Sequence, residues 1–151
     1  MRTLARTAAL ALLLLPSGCS ATSRQLVPFP PQDVAVTRGD LTRIYFLREG
    51  WIGIDERPVK VFDDATEIGE VTSDTYLCWE RSPGRTLGRV LYYSTVVVGD
   101  VEGVADFDCA AGTAYYFKVT VAREGGKPEV HPLDPVEGRK LVAERKPAHE
   151  G

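Results

Sequence analysis

The chemistry available to this chain of 151 residues starts with its grouped charges. Asp100, Glu102, Asp106 and Asp108 form an acidic run. Grouped carboxylates can hold a divalent cation or work as an acid and base pair. This run lacks the Asp-x-Asp-x-Asp-Gly order of a calcium loop. Glycoside cleavage depends on the distance between two carboxylates in space, which sequence spacing does not set. We expect these four to face solvent. Only two histidines occur, His131 near a strand and His149 near the end, and a Cys/His metal site needs closer spacing than theirs. The sequence has no Gly-x-Ser-x-Gly elbow and no Cys/His catalytic setting. No metal, cofactor or catalytic residue is therefore assigned.

Arg81, Arg85 and Arg89 flank the turn Ser82-Pro83-Gly84. If the flanking strands pair, the three guanidinium groups make one cationic edge for a phosphate or an acidic partner; otherwise they only solubilise a hairpin tip. Trp51, Trp79, Tyr92, Tyr93 and Tyr116 are the candidate exposed aromatics. Side chains alternate along a strand, so one ring of a pair such as Tyr92/Tyr93 or Tyr115/Tyr116 must face away from the core. Such a ring marks a protein or sugar partner unless another layer covers it. Trp51 and Tyr116, with the three arginines, form the candidate partner surface.

Three cysteines remain, and the first stands in a distinctive context. Arg2 and Arg6 are followed by the apolar run Ala8 to Leu15, then Pro16, Ser17, Gly18 and Cys19. A positive start, a short apolar stretch and small residues have the form of a secretory signal. The run is well short of the ~20 residues that span a bilayer. The end of the segment resembles the bacterial lipobox through Ser17, Gly18 and Cys19, departing from it at Pro16, where leucine is usual. The resemblance implies acylation of Cys19 by two or three chains, and membrane lipid as the first partner; one chain alone holds only marginally. Ser20 in the following position favours the outer membrane. An ordinary secretory signal is the competing reading. With Cys19 acylated, Cys78 and Cys109 are left as an even pair in an oxidising compartment, and a disulfide is expected. It would close a loop of about 30 residues, a constraint of ~3–4 kcal/mol in the chain-entropy picture. Two buried free thiols are the alternative.

The elements that must position these residues are short. Removing residues 1–18 takes away two arginines and no acid, so the net charge moves from −3 to −5. An acidic domain without a basic tract does not suit nucleic acid. Residues 19–40, with Pro28, Pro30 and Pro31, read as a flexible tether; Leu26 to Phe29 could instead lie on the domain as an edge segment. Strands are expected over Leu41 to Arg48, Val59 to Phe62, Thr66 to Val71, Thr75 to Glu80, Thr86 to Thr95, Val104 to Cys109, Ala114 to Ala122 and Glu129 to Leu133. Gly88 suggests a bulge, and Gly99 to Gly103 a loop. Glu49 to Arg57 is a loop around Trp51. Asp134 caps a short helix with Pro135 in its first turn, weakened by Gly138. Residues 41–145 then form a mainly β domain, a small antiparallel β-sandwich of seven or eight strands with a short C-terminal helix. Residues 146–151 read as a disordered tail.

Several stretches together are similar to a known group: Arg43-Ile44-Tyr45-Phe46-Leu47-Arg48, Glu67-Ile68-Gly69-Glu70, Ser82-Pro83-Gly84-Arg85, Ala111 to Val119, and Leu133 to Arg139. They resemble small bacterial lipoproteins carrying a domain of unknown function, a sandwich akin to PEGA-type domains. The likeness runs from about Thr42 to Arg139 and departs at the Glu49 to Arg57 loop and the cysteine pair. It implies a β-sandwich in the cell envelope, lipid-anchored and facing the periplasm from the outer membrane, and it carries no catalytic residue. The expected function is non-enzymatic: an interaction or structural module whose partner is another envelope protein or a glycan. The alternative is a small envelope hydrolase or ligand carrier using Asp100 to Asp108.

Overall fold

The computed structural model describes residues 22–49, 57–121 and 126–150. The Glu49 to Arg57 loop, with Trp51, lies mostly outside them, and Cys19 lies wholly outside. Among the described residues, eleven strands form two sheets and one short helix follows. The strands are β1 (Arg24–Gln25), β2 (Thr42–Arg48), β3 (Val59–Asp63), β4 (Thr66–Val71), β5 (Thr75–Arg81), β6 (Gly84–Ser94), β7 (Gly99–Cys109), β8 (Ala114–Val121), β9 (Pro128–Pro132), β10 (Lys146–Pro147) and β11 (His149–Glu150). The helix α1 spans Pro135–Ala143. One sheet runs β11-β1-β4-β3-β6-β7 and the other β10-β5-β2-β8-β9. No described helix is long and apolar enough to cross a membrane.

β2 is the axis of the molecule. All seven of its residues are buried, because it is covered on both faces, and a strand so placed reads as a continuous apolar run. Ile44 and Phe46 enter the space between the sheets, where they meet Val61, Ile68, Leu77, Trp79, Val90 and Phe117. Tyr45 and Leu47 point the other way, into a second cluster with Tyr76, Cys78 and Tyr116 under α1. The architecture is thus the expected sandwich with a helix laid on one outer face. It is not wholly antiparallel: β2 pairs antiparallel with β5 and parallel with β8.

Four expectations are corrected. First, β5 and β6 do not pair across Ser82–Gly84; the chain changes sheets there, and β6 joins β3 and β7. Second, Gly99 begins a strand. Val101, Gly103, Ala105 and Phe107 keep an inward alternation that carries β7 in unbroken register with β6, from Ser94↔Gly99 to Gly84↔Cys109. Third, Gly88 marks no bulge; a Cβ there would come within 2.9 Å of Phe46, so it makes room for that ring. The irregularity falls in β3 instead, between Val61 and Phe62. Fourth, both ends of the described residues are fastened. β10 pairs with the start of β5, and β11 lies parallel to β1, with Ala148 buried between them. Residues 146–150 are therefore no loose tail. The stretch from Thr22 onward is no free tether either, since β1 adds to the edge of β4. Its pairing needs Gly69, whose φ is 154° and whose side chain, were there one, would meet the backbone of Arg24 and Gln25.

Candidate functional site

Residues 22–40 form a strap across the end of β5, and polar side chains latch it. Arg43 is completely buried. Its Nε and Nη2 donate to Glu80 Oε1 at 3.0 and 2.8 Å, and Nη1 donates to the strap carbonyl of Val34 at 2.6 Å. The Thr37 backbone N–H donates to the same Glu80 oxygen at 2.6 Å. Tyr45 Oη donates to Gln32 Oε1 at 2.9 Å, and Gln32 Nε2 reaches the Pro30 carbonyl at 2.6 Å. Beyond β10, the edge of β5 has no neighbouring strand among the described residues, and Gln25 takes that place. Its amide donates to the Cys78 carbonyl at 2.7 Å and accepts from the Cys78 N–H at 3.0 Å. A buried backbone edge must be satisfied by some partner, and here one buried side chain supplies both bonds.

The strap leaves a cleft on each side. One, of about 450 Å³, is lined by Val27, Phe29, Pro30, Ile68 and Trp79, with Asp63 and Glu80 among its polar groups. The other, of about 600 Å³, lies between Gln32 to Ala35, the outer face of β2 and β8, and α1; Tyr45, Tyr76, Tyr116 and Arg139 line it. Tyr45 and Tyr116 stack there, ring centroids 4.8 Å apart and planes 8° from parallel.

The electrostatics of this region are structural. Burial works against ionised Glu80, but the bonds from Thr37 and Arg43 outweigh it and hold its carboxyl below the ordinary range. Asp63 accepts from Trp79 Nε1 at 2.9 Å, from Thr86 and from Arg81. Both carboxylates of the first cleft are thus committed to neighbours within the fold. Burial pushes the Cys78 thiol up to about 12 and raises Tyr45, Tyr76 and Tyr116 above their ordinary value.

The sequence-derived candidates divide. Cys19 and Trp51 lie outside the described residues. Tyr116 is not an exposed anchor: α1 covers it, and Gly138 packs directly on its ring. Trp79 and Tyr92 belong to the core between the sheets, whereas Tyr93 is half exposed. The three arginines make no single cationic edge. Arg81 stands on the other sheet and pairs with Asp63 and Asp64. Arg85 pairs with Asp106, Nε to Oδ1 at 2.8 Å, and Arg89 with Glu102. Diagonal cross-strand pairs of this kind follow from the β6–β7 register. The acidic run therefore faces solvent on the outer face of β7, partly neutralised by β6, and none of its members lines either cleft.

Cys78 and Cys109 are both free and buried, so the expected disulfide is not formed. Alternation on β5 turns Cys78 to the cluster beneath α1, whereas Cys109 ends β7 in the core between the sheets. The β5 layer separates them. Sequence reasoning missed Arg43, Glu80, Gln25 and Gln32. The available signal was an arginine opening the apolar run Ile44 to Leu47: a charge at the end of a doubly covered strand needs a partner.

Comparison with protein-family models, curated proteins and solved structures finds no match for this chain.

Proposed function

We propose that the chain is a bacterial envelope lipoprotein, anchored through acylated Cys19, whose β-sandwich is a non-enzymatic interaction module for another envelope protein or a glycan. The observation that carries the reading is the N-terminal order: Arg2 and Arg6, the apolar run, then Ser17-Gly18-Cys19, with a packed strap starting at Thr22. The outer membrane, facing the periplasm, is the membrane that Ser20 favours, and the likeness to small PEGA-type lipoproteins belongs to the same proposal. The non-enzymatic reading is supported by the carboxylates of the first cleft, Asp63 and Glu80, being tied to Arg81 and Arg43. The hydrolase or carrier alternative, which needed a pocket lined by the acids of β7, loses that support.

With only Ser20 and Ala21 between Cys19 and Thr22, the domain would rest close against the lipid, and its contacts would be with components at the membrane surface. The test is Cys19→Ser in a bacterial host. The unsubstituted chain is expected in the membrane fraction with the mass of an acylated cysteine. The variant is expected to lose that mass and to leave the fraction. An unchanged distribution would remove the anchor.

A further inference from the structure

We infer that the tip of the β6–β7 hairpin, Val96-Val97-Val98, is a second membrane contact that dips into the lipid surface beside the acylated Cys19. The inference rests on the lipoprotein reading above. Three consecutive valines stand 67%, 62% and 76% exposed, the most open stretch of large apolar side chains among the described residues. Water gives no reason for such a run at the end of a long, regular hairpin. From Ser94 to Gly99 no residue carries a charge. Tyr93, half exposed just below the tip, has the amphipathic ring that suits the headgroup level.

The tip has a specified shape. The backbone N–H groups of Val96 and Val97 donate to the buried Ser94 Oγ at 3.2 and 3.4 Å. Val98 has a φ of 49°, a left-handed conformation that a β-branched residue adopts only under constraint. Strain of that kind tends to be kept where the surroundings or a function require it. Glycine or asparagine would relieve it, yet the position carries a third apolar side chain.

Its direction identifies the occupant. Arg24, Glu70, Lys60, Leu91 and Glu102 lie in one row across the sheet. From that row, β1 read backwards toward the N-terminus and β6 read forwards toward its turn leave the sheet at the same end. Cys19 precedes Arg24 by five residues, and Val96 follows Leu91 by five. At ~3.3 Å per residue, each stretch reaches up to ~17 Å beyond the row. The three strand spacings from β1 to β6 set the two exits ~14 Å apart. A lipid held by Cys19 and the three valines can therefore meet the same bilayer surface. The base of the tip carries both signs, with Asp100 opposite Tyr93 and the Arg57 guanidinium 6.0 Å from the Tyr93 ring centroid, so the matching lipid is zwitterionic.

The test uses the full chain, processed in a bacterial envelope and reconstituted into phosphatidylethanolamine–phosphatidylcholine vesicles. An environment-sensitive fluorophore is placed at Val97→Cys, and in a control at Ser82→Cys, in an exposed turn at the opposite end of the sandwich. Cys78 and Cys109 are buried and escape labelling in the folded protein. The expected result is a blue shift at position 97 and loss of most of its emission with brominated lipids, with neither change at position 82. Vesicle flotation without quenching at position 97 would overturn the inference and leave the anchor standing. A blue shift that persists in detergent, weakens on dilution and ignores brominated lipid would assign the tip to a second copy of the chain, and would equally overturn it. Failure to float would remove the anchor reading and this inference with it. The variant Val96→Ser/Val97→Ser/Val98→Gly, which also relieves the backbone at position 98, is expected to keep the fold and flotation while a label at Thr95→Cys loses its lipid quenching.

Discussion

Arg43 illustrates how much one buried charge can organise. Taking a guanidinium out of water is costly, and the cost is met only when every direction around it is satisfied. Here Glu80, Thr37, Tyr45 and the Val34 carbonyl surround it, so the residue that suffers from burial also selects where the strap lies. Arg43→Ala should therefore cost about 3 kcal/mol, most of it from stranding Glu80. Arg43→Ala/Glu80→Gln should recover part of the loss, and urea denaturation of the three proteins measures both effects. Titration gives a second check on the same cluster. Glu80 has a depressed carboxyl, so its contribution is complete above its ordinary value of 4.5 and is lost as pH falls through and below that value. Cys78 behaves in the opposite sense. Its raised thiol favours the fold below its ordinary value of 9.0, and that contribution is lost as pH rises toward about 12. The buried tyrosines act in the same direction, so Cys78→Ala should flatten part of the alkaline loss of stability and leave the rest. Mass measurement after alkylation, without reductant, should find both Cys78 and Cys109 unmodified in the native protein and modified once it is denatured.

At the scale of elements, α1 shows a local rule reversed by packing. Glycine inside a helix is ordinarily worth replacing, since alanine gains about 1 kcal/mol there. In α1 the Asp134 carboxylate accepts from the Val136 N–H at 2.8 Å, and Pro135 occupies the first turn, so the helix is well started despite Gly138. A Cβ on Gly138 would stand 2.5 Å from Tyr116 Cβ. Gly138→Ala should therefore destabilise the domain by about 1–3 kcal/mol through overpacking; a gain in thermal midpoint would show that α1 is free to lift from β8. The strands themselves were legible because their alternation is strong. Ala114 to Val121 divides as its pattern requires, with Phe117 and Val119 inward and Tyr116 outward. The helix was legible through its cap. Partners across space were not. Ser82-Pro83-Gly84 has the chemistry of a hairpin turn, and nothing local distinguishes a hairpin from a crossing between sheets. The error about one cationic edge followed directly from that ambiguity. The cysteine pairing failed for a related reason, since the layer a strand faces is a property of the assembled sheets.

For the whole molecule, both ends of the described residues, from Thr22 and up to Glu150, are part of the fold. Prolines and a lack of periodicity made residues 22–40 look like a spacer, but a segment without its own period can still be ordered by the surface on which it lies. β1 binds β4 on one side and β11 on the other, so the N-terminal strap is clasped by the last residues of the chain. Beside the β1–β11 and β10–β5 pairings, the clasp includes backbone bonds from Lys146 N–H to the Asp74 carbonyl at 3.2 Å, Ala148 N–H to the Tyr76 carbonyl at 2.9 Å, and His149 N–H to the Ser23 carbonyl at 3.3 Å. Each bond contributes roughly 0.5–1.5 kcal/mol net. Removing residues 146–151 should therefore lower stability by about 2–4 kcal/mol, and it should do so unevenly. The core between the sheets loses only Ala148, whereas β1 loses one of its two neighbours. Limited trypsin digestion should accordingly find Arg24 first in the shortened chain, ahead of Arg38, which lies beyond the Gln32 and Val34 latches. Uniform loss of protection across the domain would instead mean that the C-terminal strands support the sandwich as a whole. A strap released at β1 would also lengthen the free chain behind Cys19, so the shortened lipoprotein should stand farther from the bilayer. The label at position 97 should then lose its quenching by brominated lipid while the protein still floats with the vesicles, because the hairpin tip reaches lipid only when the strap holds the domain close.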